Sequence, residues 1–250
     1  MAFAYSPKIV TDGLVFAVDA ANTKSYPGSG TTWKDLSGNG NDGTLTNGPT
    51  FDSGNGGSIV FDGGNDYTPF PYNTLYNFQY DSSFTIDSWV YINENSNYGY
   101  IITNRNTDAS GVKFSGFGLA HLNGSIRGFI GGFNSTSAWR QVEISTSDFN
   151  LYVYQKWVYI SYTNTGIAGE QKIYINGVDR STGAVDGTNP PYTVNYDSDH
   201  QVTIGASPAD GTPAGHYLNA KISNIRMYTK ALTPSEITQN YNALKSRFGL

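Results

Sequence analysis

Ser58-Ile59-Val60-Phe61-Asp62-Gly63-Gly64-Asn65-Asp66-Tyr67 and Lys221-Ile222-Ser223-Asn224-Ile225-Arg226-Met227-Tyr228-Thr229-Lys230-Ala231-Leu232 bracket a run of short aromatic-rich segments, and their reading decides the fold. Each stretch joins β-branched and aromatic residues to turn formers, the composition of a half-buried strand. A chain whose clearest segments are all of this kind reads as a β-sandwich.

Outward from these anchors the alternation continues. Residues 14–20 place Leu14, Phe16 and Val18 on one face, after the turn signal Asp12-Gly13. Residues 84–92 set Phe84, Ile86, Val90 and Ile92 against Thr85, Asp87, Trp89 and Tyr91, which predicts a single apolar face. Residues 117–122 and 125–130 flank Asn123-Gly124, and residues 172–175 and 178–180 flank Asn176-Gly177. Asn-Gly readily takes the positive φ angles of a type I′ turn, so two hairpins are predicted. Residues 151–154, 157–162 and 202–205 read as further strands. In the last strand, 221–228, Ile222 and Ile225 have opposite parity; either a bulge intervenes or the core-facing set is Ser223, Ile225 and Met227. Thr233-Pro234-Ser235-Glu236 then forms a capping box with proline at the first helical position. Ile237, Tyr241, Leu244 and Phe248 follow at helical spacing, and Lys245 and Arg247 fall where the helix dipole favours cations. A helix over 233–248 is predicted.

Residues 22–57 are dominated by Gly, Asn, Ser, Thr and Asp, with Trp33, Leu36 and Leu45 as sparse anchors, and read as a long surface excursion. No linker divides the chain, so residues 1–250 are expected to form one domain. A net charge of −5 supplies no basic footprint for nucleic acid. With no cysteine there is neither disulfide nor thiolate chemistry, which suits folding in a reducing cytoplasm. The N-terminus lacks the basic and apolar regions of a signal peptide. No apolar run approaches the roughly 18–20 residues that cross a bilayer, so membrane insertion is not expected.

Phe61-Asp62-Gly63 with Asp66-Tyr67, the strand at 84–90, the segments 157–162 and 173–177, and Ile225-Arg226-Met227-Tyr228 through Ala231-Leu232 and Glu236-Ile237 occur in the order found in one family. The chain resembles the laminin-G-like, concanavalin A-like lectin/glucanase superfamily. That resemblance implies an all-β, two-sheet antiparallel jelly-roll sandwich with a short C-terminal helix. Residues 14–22, 25–33 and 35–40 look more narrowly like laminin-G-like proteins of tailed bacteriophages, notably those of marine bacteria. The implied role is a non-enzymatic virion surface component made in the host cytoplasm: a capsid decoration, fibre or neck protein. Its partners would be other capsid or tail proteins, host-surface glycans and further copies of itself. A free carbohydrate-binding module, with or without calcium, is the alternative.

Chemistry is sparse. Glucanases of this fold use two carboxylates about 5–5.5 Å apart for retaining hydrolysis. Here Glu143 opens Glu-Ile-Ser-Thr-Ser-Asp, with Ser145 where the middle acid belongs and no second glutamate, and is expected to be a solvated strand edge. His121, His200 and His216 lack metal-ligand spacing. A Ser–His–Asp arrangement assembled across the fold stays open, although no Gly-x-Ser-x-Gly elbow is present. The segment 35–40 copies half of an EF-hand loop and has Thr46 where the closing glutamate belongs. Superfamily members often hold calcium at the rim; Asp62 and Asp66 are the candidate ligands, and bonding to turn amides is their simpler role. Tyr72, Tyr76, Tyr98, Tyr100, Trp139, Tyr192 and Tyr196 fall in expected loops, as candidate platforms for a sugar or a protein contact. No cofactor is required by any of these readings.

Overall fold

The computed structural model describes residues 7–106, 115–132, 138–186, 193–209, 212–213 and 216–250. In chain order its strands are β1 Leu14–Asp19, β2 Thr32–Trp33, β3 Gly43–Thr44, β4 Thr50–Asp52, β5 Ser58–Asp62, β6 Thr68–Pro69, β7 Phe84–Ile92, β8 Tyr98–Thr103, β9 Gly116–Leu122, β10 Ile126–Gly132, β11 Ala138–Ile144, β12 Trp157–Asn164, β13 Lys172–Ile175, β14 Val178–Asp179, β15 Ser181–Asp186, β16 Thr203–Ile204, β17 Pro208–Ala209, β18 Thr212–Pro213 and β19 Asn219–Tyr228. Two short helical elements are α1 Thr146–Asp148 and α2 Pro234–Leu244.

An eight-stranded sheet runs β14-β13-β12-β7-β19-β5-β4, with β1 paired to β19; a seven-stranded sheet runs β15-β11-β10-β9-β8-β16-β6. All the named strand pairs are antiparallel, as a jelly-roll sandwich requires. Phe16, Ile59, Phe61, Phe84, Ile86, Val90, Phe117, Leu119, Ile130, Ile160 and Ile225 fill the space between the sheets.

The parity question in β19 resolves as a bulge: its register to β7 shifts between Ile222 and Asn224, so Ile222, Ile225 and Met227 all reach the core. Both expected hairpins form, with φ of 43° at Asn123 and 76° at Gly124, and 52° at Asn176 and 82° at Gly177. The capping box is complete: Thr233 Oγ1 accepts from the Glu236 N–H and Glu236 Oε2 accepts from the Thr233 N–H.

Three differences from the sequence reading have physical causes. Residues 151–154 are not a strand. Ser145 caps α1 by accepting from the Asp148 N–H, and the helical winding runs on through Phe149–Val153, burying Phe149 and Val153 while Leu151 stays 57% exposed. The 22–57 excursion is more than surface: β4 extends the larger sheet, and Tyr26 and Trp33 are buried. The face of β7 expected to be polar is covered, because α2 and the turn after it pack over it. Thr85, Asp87 and Trp89 are fully buried, and Phe248 stacks on Trp89 at 4.1 Å.

Beneath that helix lies a closed polar network. Asp87 accepts from Arg226 Nε at 2.7 Å, from Tyr159 Oη at 2.8 Å and from Asn240 Nδ2 at 3.0 Å. Asn240 also donates to Tyr228 Oη at 3.0 Å and accepts from the Val10 N–H at 2.8 Å. Burial disfavours the Arg226 charge, but Asp87 alongside outweighs it and raises the guanidinium pKa. The N-terminal segment, the sheet and the C-terminal helix are thus tied to one carboxylate.

Candidate functional site

Four connections converge at one rim of the sandwich: the turn after β5, the loop into β8, the β9–β10 turn and the segment leading into β19. They enclose a cleft of about 390 Å³ lined by Gly63, Ser96, Asn97, Tyr98, Asn123, His216 and Tyr217. Local chemistry sets each wall. The Asn123-Gly124 turn points Asn123 outward, and its N–H donates to the Asn97 carbonyl at 3.0 Å, joining two of the connections. Asn97 Nδ2 donates to Glu94 Oε2 at 3.0 Å. Gly99 admits the fourth connection: a Cβ there would lie 2.7 Å from Leu218 Cα, so only glycine lets residues 216–218 rest on β8. His216 then sits with its ring 4.6 Å from that of Tyr98, and its φ of 55° is unusual for a residue other than glycine. Backbone held in such a region concentrates at functional sites. Burial and the charge of Arg105 hold the His216 imidazole below its ordinary pKa.

Tyr98 and Tyr100 follow one another on the outer face of β8. Tyr100 is fully buried among Ala120, Phe129 and Tyr98, and its Oη lies 2.6 Å from Tyr98 Oη. Arg105 Nη1 donates to the same Tyr100 oxygen. One strand further in, His121 supports the rim turn by accepting from the Gly124 N–H at 3.4 Å, and its ring stacks on Phe149 at 4.9 Å. Its Nδ1 is buried without a partner, and burial pushes its pKa down to about 4.

The other expected site residues are placed differently. Tyr76 lies in the inter-sheet core against Phe16, with no exposed face, and Tyr100 is a buried support for Tyr98. Both were expected in loops; each instead fills space that an apolar ring is needed to close. Tyr72 and Tyr196 are half-buried at another corner, where Tyr72 Oη accepts from Asn77 Nδ2 and Tyr196 Oη donates to the Phe78 carbonyl. Trp139 is half-buried on β11 opposite Gly131, further along the outer face of the smaller sheet. Tyr192 lies outside the described residues. The structure therefore brings together Tyr98 and Tyr100, and adds to them His216, Tyr217, Asn97 and Asn123.

Asp62 and Asp66 flank the turn beside this rim, and both carboxylates bond turn amides. Asp62 Oδ1 accepts from the Gly64 N–H at 2.7 Å, and Asp66 Oδ2 accepts from the Asp62 N–H at 3.1 Å. Burial holds the Asp66 carboxyl above its ordinary range. One oxygen of each remains, well short of the six to eight that calcium takes unless carbonyls and water complete the set. No group of three or more His, Cys, Asp or Glu side chains comes together among the described residues. The EF-hand-like segment is bonded to itself and to β1: Asp35 accepts from the N–H groups of Ala17 and Ser37 and from Ser37 Oγ.

Glu143 lies on an interior strand, since β11 pairs with both β10 and β15, and not at a sheet edge. Arg127 Nε donates to its Oε1 at 2.6 Å, and the shallow cleft beside it is lined by Gln141, Val142, Thr182 and Gly183, without a second acid. A Ser–His–Asp sequence does assemble: Ser115 Oγ is 3.2 Å from His200 Nε2, and His200 Nδ1 is 2.9 Å from Asp197 Oδ1. Ser115 is fully buried and its hydroxyl donates to the Asn106 carbonyl at 3.0 Å, so the group fastens the Asn106–Ser115 bridge and presents no nucleophile. A larger cleft, about 510 Å³, opens between β12, β13 and the start of α2. Its charged groups are already engaged, Lys172 with Asp179 at 3.0 Å and Glu170 by accepting from Thr165 Oγ1 at 3.0 Å.

Two facing antiparallel sheets joined by rim loops define the jelly-roll class of β-protein. Residues 62–238 match the Laminin_G_3 family model, and the chain belongs to the concanavalin A-like lectin/glucanases superfamily. Among curated proteins no sequence matches it. Similar solved structures include the binding domain of Paraclostridial mosquitocidal protein 1, with TM-score 0.68 and 18% identity over 93% of this chain and 52% of that one. The binding domain of botulinum neurotoxin DC in complex with SialylT gives 0.66 and 16% over 94% and 52%. The serotype D ligand-binding domain in complex with N-acetylneuraminic acid gives 0.65 and 16% over 93% and 51%. The chain spans about half the length of these structures, and at such identities the likeness is one of fold.

Proposed function

We propose that this chain is a non-catalytic recognition module displayed on the virion of a tailed bacteriophage, docked on capsid or tail proteins and contacting host-surface glycans through the rim cleft. The observation that carries the binding half is the cleft itself: ring faces of Tyr98 and His216 beside the amides of Asn97 and Asn123. A pyranose has an apolar face and a polar edge, and a site of a few hundred Å³ with a small number of placed polar groups suits it. The likeness of the N-terminal 14–40 region to phage laminin-G-like proteins supports the virion half, with synthesis in the host cytoplasm. Neurotoxin binding domains crystallised with sialylated ligands support glycan recognition by analogy of fold.

Recognition in this reading needs no cofactor. A calcium ion at Asp62 and Asp66 would be an accessory to the rim. The test is a glycan array with and without calcium chelator, together with mass spectrometry of purified particles. Saturable sugar binding and a copy number set by capsid or tail symmetry are expected. Sugar binding by a protein absent from virions would leave a free lectin-like module, which the completeness of the cleft within one chain favours as second reading. Loss of binding with chelator would assign the ion.

A further inference from the structure

The hydroxyl groups of Tyr98 and Tyr100 and the guanidinium of Arg105 form a chain whose direction is fixed. A guanidinium only donates. Arg105 donates to Tyr100 Oη, and Tyr100 is fully buried, so the proton of Tyr100 has one acceptor within reach, Tyr98 Oη at 2.6 Å. The opposite direction would strand a buried hydroxyl proton, at a cost of about 1–3 kcal/mol. Tyr98, whose side chain lines the cleft, therefore accepts from within through its Oη, and its own proton is left for an acceptor other than Tyr100. A hydroxyl that already accepts from a guanidinium-polarised neighbour is a strengthened donor.

We propose that Tyr98 is a ligand-selecting donor and that the cleft prefers a glycan bearing a carboxylate over its neutral counterpart. The inference rests on the glycan reading above and adds the class of sugar. Two further observations agree with it. Arg105 and Arg127 both lie near enough to Tyr98 to bias its hydroxyl electrostatically, although burial dominates and raises its pKa. Among the described residues, none that lines the cleft is acidic.

The test is titration calorimetry of the whole chain and of Tyr98→Phe against matched oligosaccharide pairs, one member carrying a uronic or sialic carboxylate and the other neutral. Phenylalanine keeps the ring against His216 and deletes the donor together with the acceptor of the Tyr100 hydroxyl; thermal melting verifies that the variant is folded. A hydrogen bond to a charged group predicts about tenfold tighter binding of the acidic member, and Tyr98→Phe abolishes that preference, so that the two members of a pair bind with equal affinity. Equal affinities within a pair, or a preference that survives Tyr98→Phe, overturns the inference and leaves the glycan reading standing. Absence of saturable binding to either member removes both.

Discussion

The two outer faces of the sandwich carry hydrogen-bonded chains built from the same materials, tyrosine hydroxyls and a guanidinium, with opposite ends. On the larger sheet, Arg226, Tyr159, Tyr228 and Asn240 converge on Asp87, and α2 covers the group. On the smaller sheet, Arg105, Tyr100 and Tyr98 lead outward to the rim, with no carboxylate among them. A carboxylate inside the fold closes the first chain and makes it structural. Among the described residues the second contains none, and its last donor, Tyr98 on the cleft wall, is left for an acceptor other than Tyr100. Tyrosine and arginine by themselves thus say little about function; the position of the acceptor decides.

The largest effect should come from breaking the closed chain. Asp87→Ala leaves the Arg226 guanidinium buried and unpaired and should cost about 3–5 kcal/mol in urea unfolding. A loss below about 1 kcal/mol would mean that the network is a bystander. Acid should act on the rim side. Unfolded His121 takes up a proton near pH 6.5, whereas the folded imidazole resists until about 4. The stability this provides is complete above pH 6.5 and is withdrawn as pH falls toward 4, in total about 3 kcal/mol. His121→Phe should flatten that segment of a stability–pH curve, and an unchanged slope would assign the acid sensitivity elsewhere. The smallest effect tests the independence of the two faces: Thr233→Ala removes the α2 cap and should cost about 1 kcal/mol by thermal melting, with glycan affinity unchanged. A parallel loss of affinity would show that the faces are coupled.

Much of the fold was legible because its signals are local. Asn123-Gly124, Asn176-Gly177 and the Thr233 capping box each state their geometry within four residues. The strand β8 was missed because its register shifts between Tyr100 and Ile102, which puts Ile101 and Ile102 both into the core and destroys alternation. The buried face of β7 was misread because its cover, α2, arrives about 150 residues later in the chain. For the site, aromatic residue type found Tyr98 but also Tyr76 and Tyr100, since loop position from sequence carries no burial. His216 had no sequence signal: its value comes from a left-handed backbone and from Gly99, whose missing side chain lets the two segments meet.

The place of β19 between β7 on one side and β1 with β5 on the other also governs how the chain is born. Asp19 pairs with Asn224, so roughly 200 residues must be translated before the first strand meets its partner. At typical ribosomal speed that is about 10–40 s during which the inward edges of β1, β5 and β7 wait without a neighbour. The keystone of the larger sheet is laid late, and until then those unpaired edges are open to pairing with other chains.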